Sequence, residues 1–246
     1  MEPLRLDFTV ACSPERAFAL WAEQTTRWWP HGHSVSGSPG LTVVFEPGGR
    51  IYERTPDGTE HDWGEVLAWE PPHRLVYLWH LRFDRADATE VEVRFEPHED
   101  GTAVQIEHRG WERLGAVAEE RRERNRRGWG GVTPRYRIAA LVDADELVIE
   151  DWTGEPGPVA PLHVHHEDDE AWLTLDGVLI VRVGDTTVRA GAGEAVRVPA
   201  GTPHAYEIAE SARYLIAMTP RIRELVRRLH EPGGAVWADY ASELLV

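Results

Sequence analysis

Leu4, Leu6, Phe8 and Val10 alternate with Arg5, Asp7 and Thr9, the two-residue period of a strand with one buried face. The period then changes. Ser13-Pro14-Glu15 sets a capping hydroxyl before a proline at the first helical position, and Phe18, Leu20 and Trp21 follow as apolar positions of a short helix. Pro30 breaks the pattern, and a loop of Gly, Ser and His runs to Pro39-Gly40. From Leu41 to His108 apolar runs such as Leu75-Val76-Tyr77-Leu78-Trp79, Val91-Glu92-Val93-Arg94-Phe95 and Ala103-Val104-Gln105-Ile106 alternate with turn signals. Those signals are Pro47-Gly48-Gly49, Pro56-Asp57-Gly58, Pro71-Pro72 and Glu99-Asp100-Gly101, and the result predicts an antiparallel meander. A polar helix is predicted from about Arg113 to Arg127, with Gly128, Gly130 and Gly131 interrupting it before Tyr136. Strand, helix, meander and long helix make an α+β order.

A new apolar stretch, Ile138-Ala139-Ala140-Leu141-Val142, places a boundary near Ile138 and predicts two domains, 1–137 and 138–246, without a long flexible linker. Beyond it, short strands dominate to Met218. Turns are expected at Gly154-Glu155-Pro156-Gly157, Asp176-Gly177, Gly184-Asp185, Gly191-Ala192-Gly193 and Pro199-Ala200-Gly201, a spacing that predicts an all-β sandwich or barrel. After Pro220, Ile222, Leu225, Val226 and Leu229 fall at helical spacing, so a short amphipathic helix is expected on the outside of the barrel.

Composition narrows the function classes. The 246 residues include one cysteine, Cys12, which excludes an intrachain disulfide and a thiolate metal cluster and suits a reducing cytoplasm. The N-terminus lacks an apolar signal region and nowhere do 18 apolar residues run together, so a cytoplasmic protein without a membrane partner is expected. A net charge of −16 repels phosphate backbones and argues against nucleic acid. The run Arg121-Arg122-Glu123-Arg124-Asn125-Arg126-Arg127 follows Glu119-Glu120 and reads as a solvated helical face.

The candidate chemistry lies in the second half. His163 and His165 are two residues apart on a strand and share a face, whereas His166 points away. After the acidic turn Glu167-Asp168-Asp169, read as solvated, Glu170 opens the next strand and can return a carboxylate to that face. His204, beyond Pro199-Ala200-Gly201-Thr202-Pro203, is the fourth candidate ligand. Three neutral imidazoles and one carboxylate suit one divalent transition metal, Fe, Mn, Ni, Co or Zn. Trp172 has the parity of Glu170 and Tyr206 that of His204, so both are candidates to line the metal cavity, with core filling as the alternative for Trp172 and a rim hydrogen bond for Tyr206. In the first half, Trp28, Trp29, Trp63, Trp69 and Trp79 either line an aromatic ligand cavity or fill the core. His31 and His33 lack a third ligand nearby and read as exposed.

Two resemblances rest on these residues. Trp28-Trp29-Pro30, Phe45-Glu46-Pro47-Gly48-Gly49-Arg50, Trp63-Gly64, Pro71-Pro72-His73-Arg74-Leu75 and His108-Arg109-Gly110-Trp111-Glu112-Arg113-Leu114 occur in an order that resembles the SRPBCC superfamily, in the branch named after an activator of a chaperone ATPase. That resemblance implies a helix-grip fold, a curved antiparallel sheet around a long helix and a ligand pocket, over residues 1–137. The spacing Gly157, His163, His165, Glu170, Gly177, then Gly193, Pro199, Gly201, His204, resembles the two cupin motifs; Ile208 stands where many cupins have Asn. The cupin resemblance implies a jelly-roll barrel with these four residues on the metal, dioxygenase-, decarboxylase- or isomerase-like chemistry on a small organic or aromatic molecule, and allows a homodimer. Metal-dependent oxygenation is the leading expectation. Polyketide-cyclase-like activity and a non-catalytic ligand-binding or stress-response module with a structural or sensory metal are the rivals.

Overall fold

The N-terminal alternation becomes strand β1 (Leu4–Val10), with Leu4 and Val10 buried at its ends. Ser13 caps helix α1 (Pro14–Ala22), its Oγ accepting from the Arg16 amide at 3.4 Å, and Phe18, Leu20 and Trp21 face the core. The computed structural model describes residues 1–231 and 236–245 and divides into two units, 1–140 and 141–246.

In the first unit the meander consists of β2 (Thr42–Phe45), β3 (Arg50–Arg54), β4 (Glu60–Glu70), β5 (Arg74–Trp79), β6 (Thr89–His98) and β7 (Gly101–Arg109). Each pairs antiparallel with the next, and β1 closes the far edge on β7, giving the order β1-β7-β6-β5-β4-β3-β2. A long helix, α2 (Ala118–Ala139), follows a short 3-10 segment, Trp111–Val117. The expected interruption at Gly128, Gly130 and Gly131 does not occur: the helix runs through all three glycines and through Pro134. Burial of Trp129, Val132, Thr133 and Tyr136 on one face supplies the stability that the glycines withhold. The Tyr136 hydroxyl donates to the Ala17 carbonyl at 2.8 Å, tying α2 to α1. Ile138 and Ala139, the start of the apolar stretch, are the last residues of α2 and are buried.

The second unit comprises β8 (Val148–Gly154), β9 (Gly157–His165), β10 (Glu170–Val183), β11 (Thr186–Gly191), β12 (Ala195–Val198), β13 (His204–Met218), α3 (Pro220–Leu229) and β14 (Ser242–Leu244). It is an all-β, barrel-like fold with one short helix. The order is β11-β10-β13-β9-β14, with β12 on β10 and β8 on β13. The 15-residue β13 makes this possible, because its first half pairs with β9 and its second with β8.

Asp176-Gly177, predicted as a turn, is instead a bulge within β10. Register shifts there bend the strand, and Gly177 (φ 76°) is required because a Cβ would lie 2.2 Å from the Ser211 carbonyl oxygen. Trp172, Leu179, Val181, Tyr206, Tyr214 and Ile216 fill the interior, and α3 buries Ile222 and Leu225 against it. Among the described residues no helix is long and apolar enough to cross a membrane.

Candidate metal centre

Adjacent strands bring the four candidates together. His163 on β9 faces His204 on β13, and Glu170 opens β10. One nitrogen of each of His163, His165 and His204 and one oxygen of Glu170 lie within 4.8 Å of one another, and all four residues are buried. His166 points outward, as its parity predicts.

The protonation of the imidazoles follows from their outer nitrogens. His163 Nδ1 lies 2.7 Å from the Pro161 carbonyl oxygen and His204 Nδ1 lies 2.9 Å from that of Thr202. A carbonyl only accepts, so both Nδ1 atoms carry the proton and donate. His165 Nδ1 is 2.8 Å from Ser242 Oγ. The Ser242 hydroxyl proton goes to the Tyr240 carbonyl at 2.9 Å, so Ser242 accepts from His165.

Three Nε2 lone pairs therefore face inward beside the Glu170 carboxylate. His163 and His165 Nε2 are 3.2 Å apart, and His204 Nε2 is 3.1 Å and His165 Nε2 3.5 Å from Glu170 Oε2. Such electron-pair donors repel one another unless a cation or added protons lie between them. Ligands at the bond lengths usual for a first-row divalent ion sit about 3 Å from each other, so this set fits one such ion. Burial, then the neighbouring His204, pushes His163 down to about 4. Burial works to raise Glu170, but pairing with His165 and His204 outweighs it and holds the carboxylate at about 2. That pairing needs a proton on an imidazole, so protons and a metal ion compete for the same place.

Trp172 and Tyr206 both turn inward, their rings 5.1 Å apart, with Trp172 5.9 Å from His204. Tyr206 Oη meets Tyr214 Oη at 3.3 Å, and burial, then Tyr214, raises its phenol well above the ordinary value. Ile208 is a buried core residue.

Glu167 of the acidic turn is exposed as expected, but Asp168 and Asp169 are not solvated. Asp168 accepts from Thr219 Oγ1 and from Arg221 Nε, each at 2.8 Å, and Asp169 accepts from the Ala200 amide at 2.9 Å and from Arg197 Nε at 3.0 Å. Both carboxylates are buried; Asp169, with the Gly201 amide donating to the His165 carbonyl at 2.7 Å, joins the two ligand-bearing turns, and Asp168 ties the first of them to the start of α3. Sequence reasoning missed Ser242 and Trp237, whose ring lies 5.3 Å from His163. Both come from a C-terminal segment that pairs Ser242 with His165, and no local pattern around Ala241-Ser242-Glu243 marks that role.

The first unit holds a separate cavity of about 390 Å³. Trp29, Trp79 and Trp129 line it, whereas Trp28 and Trp63 are core and Trp69 packs edge-on against Phe18. His33 reaches the cavity, and His31 is exposed. The arginine run is not uniformly solvated: Arg121 lies over the Phe83 ring at 3.1 Å and 3.5 Å from Asp87.

Residues 151–218 match the cupin domain model and residues 11–142 match the model described as activator of Hsp90 ATPase homolog 1-like protein. The quercetin 2,3-dioxygenase of Bacillus subtilis (strain 168) is 34% identical over 77 residues, 31% of this chain and 22% of that protein. The chain thus matches about a fifth of the length of that curated relative. Among solved structures, the self-sacrificing resistance protein CalC from Micromonospora echinospora is 28% identical, over 56% of this chain and 94% of that one, with a TM-score of 0.47. A cupin-2 domain containing protein from Shewanella frigidimarina is 22% identical, over 31% and 74% of the chains, with a TM-score of 0.28. The match over residues 11–142 spans more than half of the sequence, and the chain belongs to the activator of Hsp90 ATPase homolog 1-like family, here joined to a C-terminal cupin domain.

Proposed function

We propose that His163, His165, Glu170 and His204 hold one divalent transition-metal ion and that the protein carries out dioxygenase-like chemistry on a small aromatic molecule. The observation that carries this reading is the convergence of three imidazole lone pairs, each oriented by a donated Nδ1 proton, on one buried carboxylate. When bound, the ion supplies Lewis acidity or dioxygen activation. Trp172 supplies an apolar wall against which a flat molecule can rest. Tyr206, its phenol kept protonated by burial, supplies one donor. The similarity to a quercetin 2,3-dioxygenase over 77 residues supports oxygenation over the other cupin reactions.

The cavity of the first unit serves in this reading as a second small-molecule pocket. A cytoplasmic location belongs to the same reading, supported by the single cysteine.

Elemental analysis of the purified protein beside His163→Ala and His204→Ala tests the site. Near-stoichiometric iron, manganese or nickel in the wild type, lost in both variants, is expected, followed by oxygen uptake with flavonol and other phenolic substrates. Wild type holding no more metal than the variants after reconstitution refutes the site. Metal without turnover of any phenol favours the non-catalytic module.

A further inference from the structure

We infer that the cavity of the N-terminal unit selects aromatic anions: a planar ring system lies among Trp29, Trp79 and Trp129 while a carboxylate or equivalent group meets Arg82, Arg124 and Arg127. This rests on the reading of that cavity as a small-molecule pocket and adds the class of ligand.

The charges at the cavity run against those of the whole chain. The protein carries a net charge of −16, yet the charged side chains lining this cavity are all guanidiniums, with no Asp or Glu among them. In the arginine run of α2, the residues directed elsewhere have partners. Arg121 lies 3.5 Å from Asp87, Arg122 Nε donates to the Glu2 carbonyl at 3.0 Å, and Arg126 meets Glu123 at 2.6 Å. Arg124 and Arg127, three apart and so on one helix face, make no ion pair within 4.0 Å of a carboxylate among the described residues; Arg127 acts on Glu123 only at longer range, after Arg126 and Arg122. Arg124 instead lies 5.0 Å from the Phe83 ring centre, at the cavity wall.

The third cation, Arg82, is fixed in place without being neutralised. Its backbone is left-handed (φ 65°), and its guanidinium donates to the Ser34 carbonyl, at 2.7 Å from Nε, and to the Gly32 carbonyl at 2.9 Å. Carbonyls accept hydrogen bonds but leave the net charge in place. His33, on the same wall, is pushed below its ordinary value by burial and then by Arg82 and Arg135, as a positive field requires. The apolar surface is aromatic, which favours flat rings, and a guanidinium pairs a carboxylate in a plane.

Calorimetric titration of the full chain with 2-naphthoate and with its neutral counterpart 2-naphthamide tests the inference. Naphthoate is expected to bind about tenfold more tightly or better. In an Arg124→Gln, Arg127→Gln double variant that preference falls at least about threefold, Arg82 keeping the remainder, while naphthamide affinity is unchanged, and raising NaCl from about 50 mM to about 500 mM weakens naphthoate alone. Equal affinity for the two probes in the wild type leaves the pocket but overturns anion selection. A preference undiminished in the double variant also overturns it, because the charge is then recognised without the two arginines of α2. No binding of either probe at millimolar concentration overturns the pocket and the inference together.

Discussion

Single atoms on neighbouring strands decide whether the histidines can act as ligands. His163 and His204 each donate to a carbonyl two residues earlier, an arrangement contained within their own strands and turns. His165 depends on Ser242, 77 positions away in sequence. Removing that acceptor frees the His165 ring and leaves a buried N–H unpaired, so Ser242→Ala is expected to weaken metal binding roughly tenfold, as partners of metal ligands commonly do. Competition with a coloured chelator measures it. Ser242→Thr, which keeps the hydroxyl, retains affinity, and Glu243→Ala on the exposed side of the same strand leaves it unchanged. Strand parity pointed to His163 and His165 in the sequence, and motif spacing added Glu170 and His204 as candidates. The burial of Asp168 and Asp169 was not legible, since an acidic triplet in a turn looks the same whether water or Arg197 and Arg221 face it.

Elements follow the sequence wherever local chemistry and tertiary packing agree. The Ser13 cap, the turns of the first unit's meander and the alternation in β1 and β6 all appear where the pattern places them. Helix α2 is the exception, because three glycines and a proline oppose a helix that Trp129, Val132 and Tyr136 hold by burying their side chains. The local cost remains measurable. Gly130 is exposed and a methyl group there meets nothing within 4 Å, so Gly130→Ala is expected to stabilise the protein by about 0.5–1 kcal/mol, read as a higher urea midpoint. Gly131→Ala gains less, since its Cβ comes within 3.2 Å of His33. Asp176-Gly177 misled for a related reason: a turn-forming pair inside a long strand also makes a bulge.

At the scale of the molecule, pH acts through groups buried in the neutral state. His108 is fully buried on β7, where Trp129 Nε1 donates to its Nδ1 at 3.1 Å. Its Nε2 therefore carries the proton and donates to Thr89 Oγ1 at 2.7 Å. Burial depresses its pKa to about 3. The unfolded chain takes up this proton first, so the contribution is complete above about pH 6.5 and is lost as pH falls toward 3. At pH 5 the loss is roughly 2 kcal/mol. Urea unfolding followed by tryptophan fluorescence at pH 7.5 and pH 5 should show this fall, and His108→Gln should flatten it. A variant with the same pH slope as wild type would assign the acid sensitivity to other groups.

Periodicity and turn residues by themselves determined the order of elements, the α+β character of the first half and the β character of the second. Residue type and spacing likewise picked out the four candidate ligands: His163, His165 and Glu170 lie close together in sequence, and His204, 34 positions beyond Glu170, joins them through the resemblance to the two cupin motifs. Tertiary structure alone decided the continuity of α2, the burial of Asp168 and Asp169, the arrival of Ser242 at His165 and the collection of Arg82, Arg124 and Arg127 around three tryptophans. Each of these is a contact between residues distant in the chain, and its energy comes from desolvation or from an oriented hydrogen bond that no local pattern encodes.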